Sequence, residues 1–219
     1  DAPLRFVACR HEVGAANMAD AYGKLAGRPG ICMVTRGPGA THAAGGIHTA
    51  YQDSTPLILL IGQVGRGMMG REAFQEIDYR RMFGPMTKWV AQIDDAERVP
   101  EFVARAFQVA TSGRPGPVVL ALPEDMQPRE VDVPDALCHQ PVQPAPSDIQ
   151  MAALRRLLGR SQRPVVIVGG PGWTEAACDN LKRFVEANYL PVACAFRSQD
   201  VFDNRHPNYI GDVGIGINP

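Results

Sequence analysis

Glu12 follows His11 at the junction between an apolar run, Arg5–Ala8, and a helical pattern that opens at His11. A carboxylate in that position has two uses. It can sit in the first turn of a helix for purely structural reasons, where the helix dipole favours negative charge. It can also act chemically, because open α/β sheets bind ligands beyond the carboxyl ends of their strands. The run Gly37-Pro38-Gly39-Ala40-Thr41-His42 begins like a dinucleotide fingerprint. It carries His42 in place of the third glycine, and Pro38 removes one amide donor, so by itself it reads as a tight strand-to-helix turn sooner than as a nucleotide site. Thr35, Gly37 and His42 close one strand, and Gln63 closes the next. Three strand ends converge on one rim, which supports a site more strongly than any one residue does.

Several other chemistries are excluded. His11-Glu12 is followed by Ala15 and Ala16, not by a second histidine, so there is no H-E-x-x-H zinc helix. No lysine follows a glycine-rich loop as in a P-loop, and no G-x-S-x-G elbow occurs. Five cysteines, Cys9, Cys32, Cys138, Cys178 and Cys194, are odd in number and widely spaced, without a C-x-x-C pair. Three of them lie in apolar runs, where buried free thiols are expected. Lys+Arg 22 against Asp+Glu 23 gives a net charge of -1. With basic residues only in short pairs, nucleic acid is not an expected partner. The longest aliphatic run, Leu57–Ile61, is far below the roughly 20 residues of a membrane span. No membrane association and a cytoplasmic location are therefore expected.

The elements that must carry the rim are short apolar runs bounded by Gly and Pro, alternating with helical patterns. This alternation predicts repeated βαβ units and an open parallel sheet with helices on both faces. Strands are predicted at Arg5–Ala8, Gly30–Thr35, Pro56–Gly62, Thr87–Ala91 and Pro117–Leu122. The helix from His11 to about Ala26 groups Ala15, Met18, Ala19, Tyr22 and Ala26 on one face, and a later helix follows a cap at Asp94 and Asp95. These make a first domain over residues 1–125. A proline-punctuated stretch, residues 126–146, reads as an extended linker. Residues 147–219 begin a second, Rossmann-like α/β domain with a cap at Ser147-Asp148, strands at Pro164–Val168 and Leu190–Cys194, and a helix carrying Ala177, Leu181, Phe184 and Val185. So small a sheet cannot bury both faces. The expectation is that 219 residues hold most of one domain and the start of another.

Taken together, Arg10-His11-Glu12, Ala19-Asp20-Ala21-Tyr22, Val34–Thr41, Ala50–Pro56, Gly62-Gln63-Val64, Ala73-Phe74-Gln75-Glu76, Thr87-Lys88 and Ser112–Val118 resemble the pyrimidine-binding domain of thiamine-diphosphate-dependent enzymes of the acetolactate synthase type. Pro164–Gly170 is similar to the start of that family's central domain. The resemblance implies the thiamine-diphosphate-binding fold. It implies activity on 2-oxo acid substrates as a lyase or transferase, by decarboxylation or carboligation, and a homodimer or homotetramer. A non-catalytic nucleotide-binding or assembly module built from the same domains is the alternative.

The glutamate that Glu12 matches hydrogen-bonds N1' of the cofactor's aminopyrimidine and favours the 4'-imino tautomer. That role requires a proton on the carboxyl, so burial beside an apolar ring should raise its pKa against the pull of the helix start. By the same resemblance Thr35, Gly37, Pro38, Gly39 and His42 line the pyrimidine pocket, and Gln75 faces the substrate. His42 departs from the asparagine more usual at its position. The diphosphate and its Mg2+ are held in the family by a G-D-G motif that Gly211-Asp212-Val213-Gly214 does not match, so the metal has no ligand here and the chain alone should not bind the cofactor productively. Flavin-containing members hold FAD with residues matching Arg114, Gly169 and Gly170. Those are kept, while Ala195–Asp200 departs from the small loop that lies against the flavin, which leaves FAD open.

Overall fold

A computed structural model describes residues 4–142 and 144–215. The chain divides into two compact units, Asp1–Val142 and Gln143–Pro219. The first contains helices α1 (Glu12–Ala26), α2 (Pro38–Asp53), α3 (Tyr79–Phe83) and α4 (Val99–Thr111), with strands β1 (Gly30–Val34), β2 (Leu57–Gln63), β3 (Trp89–Gln92) and β4 (Pro117–Pro123). The strands form one parallel sheet in the order β1-β2-β4-β3.

Strand periodicity explains the layers. Successive residues of β2 point to opposite faces. Leu57, Leu59 and Ile61 enter a cluster with Ala16, Ala19, Ala43 and Ile47 of α1 and α2, while Ile58 joins Val118, Leu120, Ala106 and Ala110 under α4. Helices thus cover both faces, as the βαβ alternation predicts. The edge strand β1 differs. Cys32 and Val34 are buried, whereas Ile31 and Met33 are 57% and 60% exposed.

Two expectations fail here. Arg5–Ala8 forms no strand, and Leu4, Phe6 and Val7 stand exposed. Among the described residues no ladder receives that segment, and an unpaired strand has nothing to hold it extended. The buried face of α1 is Ala16, Ala19, Asp20 and Gly23, while Met18 and Tyr22 face outward. Small residues won that face because α2 runs close against it. A Cβ at Gly46 would stand 2.6 Å from Ala16 Cβ, so only glycine permits this approach. Lys24 pairs with Asp20 on its own helix and with Asp53 on α2, tying the two helices across their far ends.

The second unit holds α5 (Asp148–Arg160), α6 (Glu175–Ala187) and the parallel strands β5 (Val166–Val168), β6 (Val192–Ala195) and β7 (Tyr209–Val213), in the order β5-β6-β7. Ser147 and Gln150 complete a capping box for α5. Gly211 and Asp212, which do not match the diphosphate motif, are ladder partners of Ala193 and Cys194. No helix among the described residues is long and apolar enough to cross a membrane.

Candidate active site

The rim of the first sheet is built from two helix starts. His11 caps α1 by accepting the Val13 amide on Nδ1 at 3.2 Å, which leaves Glu12 as the first helical residue. Gly37 starts α2 at φ 60 and ψ -108, a conformation that L-residues avoid, and Pro38 supplies the fixed φ favoured at the first helical position. Because α1 and α2 approach closely, the two starts meet. His42 Nδ1 lies 3.0 Å from Glu12 Oε2. The His11 and His42 rings lie side by side with centroids 4.7 Å apart.

The Glu12 side chain retains 33% exposure, so a ligand can reach it. Hydrogen bonding to its own backbone amide, followed by the His42 hydrogen bond, holds its carboxyl below the ordinary carboxylate range. This runs opposite to the raised value expected from burial. In the chain by itself too little apolar material covers the carboxyl for desolvation to win.

Thr35 and Pro38 are exposed at the same rim, and Gly37 and Gly39 are buried beneath it. A Cβ at Gly39 would stand 2.9 Å from Thr35 Cγ2 and 3.6 Å from Glu12 Oε1. The glycine therefore keeps a cradle open between the carboxylate and the Thr35 strand end. Gln75 also reaches this place. It takes φ 65, and its Cβ would lie 2.7 Å from a Cβ built on Gly37, so the 70–78 loop rests on the glycine turn. The site residues on α1, just beyond β1, on α2 and on this loop are thus gathered at one rim.

Gln63, expected at the rim, and Arg114, expected at a flavin, have other duties. Gln63 is 2% exposed, donates to Ile77 O at 3.0 Å and accepts from the Val64 amide at 2.9 Å. It clamps the loop rather than facing a ligand. Arg114 donates to Ser54 Oγ at 2.6 Å and to the carbonyl oxygens of Tyr51 and Gln52, so it closes the C-terminus of α2. These bonds commit Nε and Nη2 of the guanidinium to the chain itself. Gly169 and Gly170 follow β5 in the second unit, and Trp173 Nε1 donates to Gly169 O at 3.2 Å.

Sequence reading missed Tyr79 and Glu76. The Tyr79 hydroxyl accepts from the Gly37 amide at 3.0 Å and donates to Gly62 O at 3.3 Å, pinning the glycine turn to the end of β2. Burial pushes its phenol above the usual range. Glu76 accepts from the amides of Gly70 and Ala73, which folds the loop upon itself. Glu76 lies in the run Ala73–Glu76 but was given no role there, and the partners of Tyr79 are remote in sequence, so nothing local announced it.

Residues 1–82 match a family model described as thiamine pyrophosphate enzyme, N-terminal TPP binding domain, and residues 151–219 match one described as thiamine pyrophosphate enzyme, central domain. The chain is 38% identical over 223 residues to a probable acetolactate synthase large subunit of Methanocaldococcus jannaschii, covering 98% of this chain and 38% of the relative. It is 37% identical to the acetolactate synthase isozyme 3 large subunit of Escherichia coli, covering 95% and 38%. It is 35% identical to an acetolactate synthase large subunit of Corynebacterium glutamicum, covering 97% and 34%. The chain spans little more than a third of the length of these relatives.

Proposed function

We propose, from the premise that the chain belongs to the thiamine pyrophosphate enzyme family, that it forms the aminopyrimidine-binding side of an acetolactate synthase-like active site for 2-oxo acids. The observation that carries this reading is the Glu12 carboxylate, reachable at the sheet rim, with the Gly39 cradle beside it and His42 3.0 Å away. The residues fit the group: a reachable carboxylate beside a glycine turn that a Cβ would close. Bound thiamine diphosphate supplies the carbanion chemistry.

The chain's own residues do the rest. Glu12 holds a proton at its carboxyl once an apolar ring covers it and removes water, which reverses the present lowering. His42 yields its hydrogen bond to Oε2 as that happens and keeps the carboxylate aimed until then. Thr35, Pro38 and the Gly37–Gly39 backbone form the wall against which the ring is oriented. Gln75 is held at the wall's edge by its contact with Gly37 and faces the substrate side. The diphosphate and its Mg2+ are held by residues beyond this chain, in a cytoplasmic homodimer or homotetramer with lyase or transferase activity.

In the complete enzyme, Glu12→Gln lowers turnover about 100-fold or more, and unchanged turnover overturns the assignment. Calorimetric titration of the 219-residue chain with thiamine diphosphate and Mg2+ should show no micromolar binding. Such binding would place the diphosphate ligands within the chain.

A further inference from the structure

The Glu12 rim carries a second chemical possibility that owes nothing to thiamine. His11, Glu12 and His42 each present one ligand atom, and these atoms lie within 4.8 Å of one another. Nδ1 of His42 stands 3.0 Å and Nδ1 of His11 4.0 Å from the same oxygen, Glu12 Oε2. An ion of the zinc class sits about 2.0–2.2 Å from each donor, which spaces tetrahedral donors about 3.4 Å apart. The two observed separations fall on either side of that value. The widest pair of ligand atoms, within 4.8 Å, closes by up to about 1.4 Å to reach that spacing, and because the three side chains are 58%, 33% and 50% exposed in that order such side-chain rotations meet little resistance from packing.

We propose that His11, Glu12 and His42 bind one divalent transition-metal ion, through both Nδ1 atoms and a Glu12 carboxylate oxygen, with water completing the coordination. Two neutral imidazoles and a carboxylate suit Zn2+, Co2+ or Ni2+. Mg2+ and Ca2+ take oxygen ligands and are not expected here. Binding has two opposing costs. The Val13 amide loses its acceptor on His11 Nδ1 and turns to water, and the start of α1 disfavours a cation. The Glu12 charge offsets the second. The balance predicts micromolar affinity, weaker than closed four-ligand structural sites. That the ion would displace a pyrimidine from Glu12 rests on the function proposed above; the binding itself does not.

The test is titration of the 219-residue chain with Co2+, following its visible d–d absorption, then displacement by Zn2+. One equivalent should bind at micromolar concentration, be removed by EDTA, and be unaffected by excess Mg2+. His42→Asn and Glu12→Gln should each weaken binding about ten-fold or more, since loss of even an outer-shell partner costs that much. His11→Asn keeps an oxygen to cap the Val13 amide while removing the imidazole, so weaker binding with an unchanged circular dichroism spectrum reports the lost ligand. Absence of the d–d band, or equal binding by wild type and His42→Asn, overturns the proposal. Either failure leaves the catalytic role of Glu12 to the metal-free turnover of Glu12→Gln.

Discussion

Both units lay a parallel sheet against helices, yet they finish the packing differently. In the first, the central strands β2 and β4 are covered on two sides, and Leu57, Leu59, Val118 and Val119 show 0% exposure. In the second, α6 covers one side through Val185, which packs with Val168, Val192 and Cys194. Helix α5 buries no residue, and Val165, Ile167 and Ile210 are 52%, 60% and 60% exposed. The candidate site lies on the sheet whose central strands are covered on both faces. Orienting a carboxylate needs neighbours whose own positions are fixed by packing, and only the first unit supplies them.

The two tryptophans, Trp89 in the first unit and Trp173 in the second, allow each unit's unfolding to be followed separately by fluorescence after single Trp→Phe replacement. Leu59→Ala should cost the first unit about 2–5 kcal/mol, while Ile167→Ala should change the second by less than about 0.5 kcal/mol. Equal losses in chemical denaturation would break the contrast. Gly46→Ala drives a methyl into Ala16 and should cost about 1–3 kcal/mol. It should also part Glu12 from His42, seen as altered ring resonances of His42 in NMR spectra. Tyr79→Phe leaves the buried Gly37 amide without its acceptor, at about 1 kcal/mol, and should speed amide exchange at Gly37 without touching β5–β7.

The smallest effect is chemical. Cys9 and Cys138 are exposed, while Cys32 and Cys194 are buried. Burial pushes the Cys32 thiol up to about 11 and raises that of Cys194, so alkylation at pH 8 should label the first pair and spare the second. Because the folded Cys32 resists ionisation, its effect on stability is nil below its ordinary value of 9.0 and turns unfavourable as pH climbs toward 11. Labelling of Cys32 at pH 8 as fast as Cys9 would mean that the sheet's first face is open.

Much of this was legible locally. Strands β1, β2 and β4 fall within a residue of their predicted limits, because continuous apolar runs ending in Gly or Pro leave little choice of structure. Cys9, by contrast, lies in an apolar run yet is exposed, since no strand forms there to bury it. Strand β7 was missed for the opposite reason. Tyr209–Val213 contains Gly211 and Asp212, poor strand formers, and becomes a strand by pairing with β6 across a register shift.

The sequence by itself determined the alternation of elements, the glycine turn at Gly37 and a carboxylate at the start of α1, since propensity, capping and periodicity act over a few residues. Tertiary structure alone decided what those residues meet. The Glu12–His42 contact spans 30 positions and exists because Gly46 lets α2 close upon Ala16. Gln63 clamps a loop at Ile77 and Arg114 closes α2 at residues 51–54 through partners also remote in sequence. Hydrogen-bond partners are chosen by packing in space, and packing depends on shapes that no local pattern encodes.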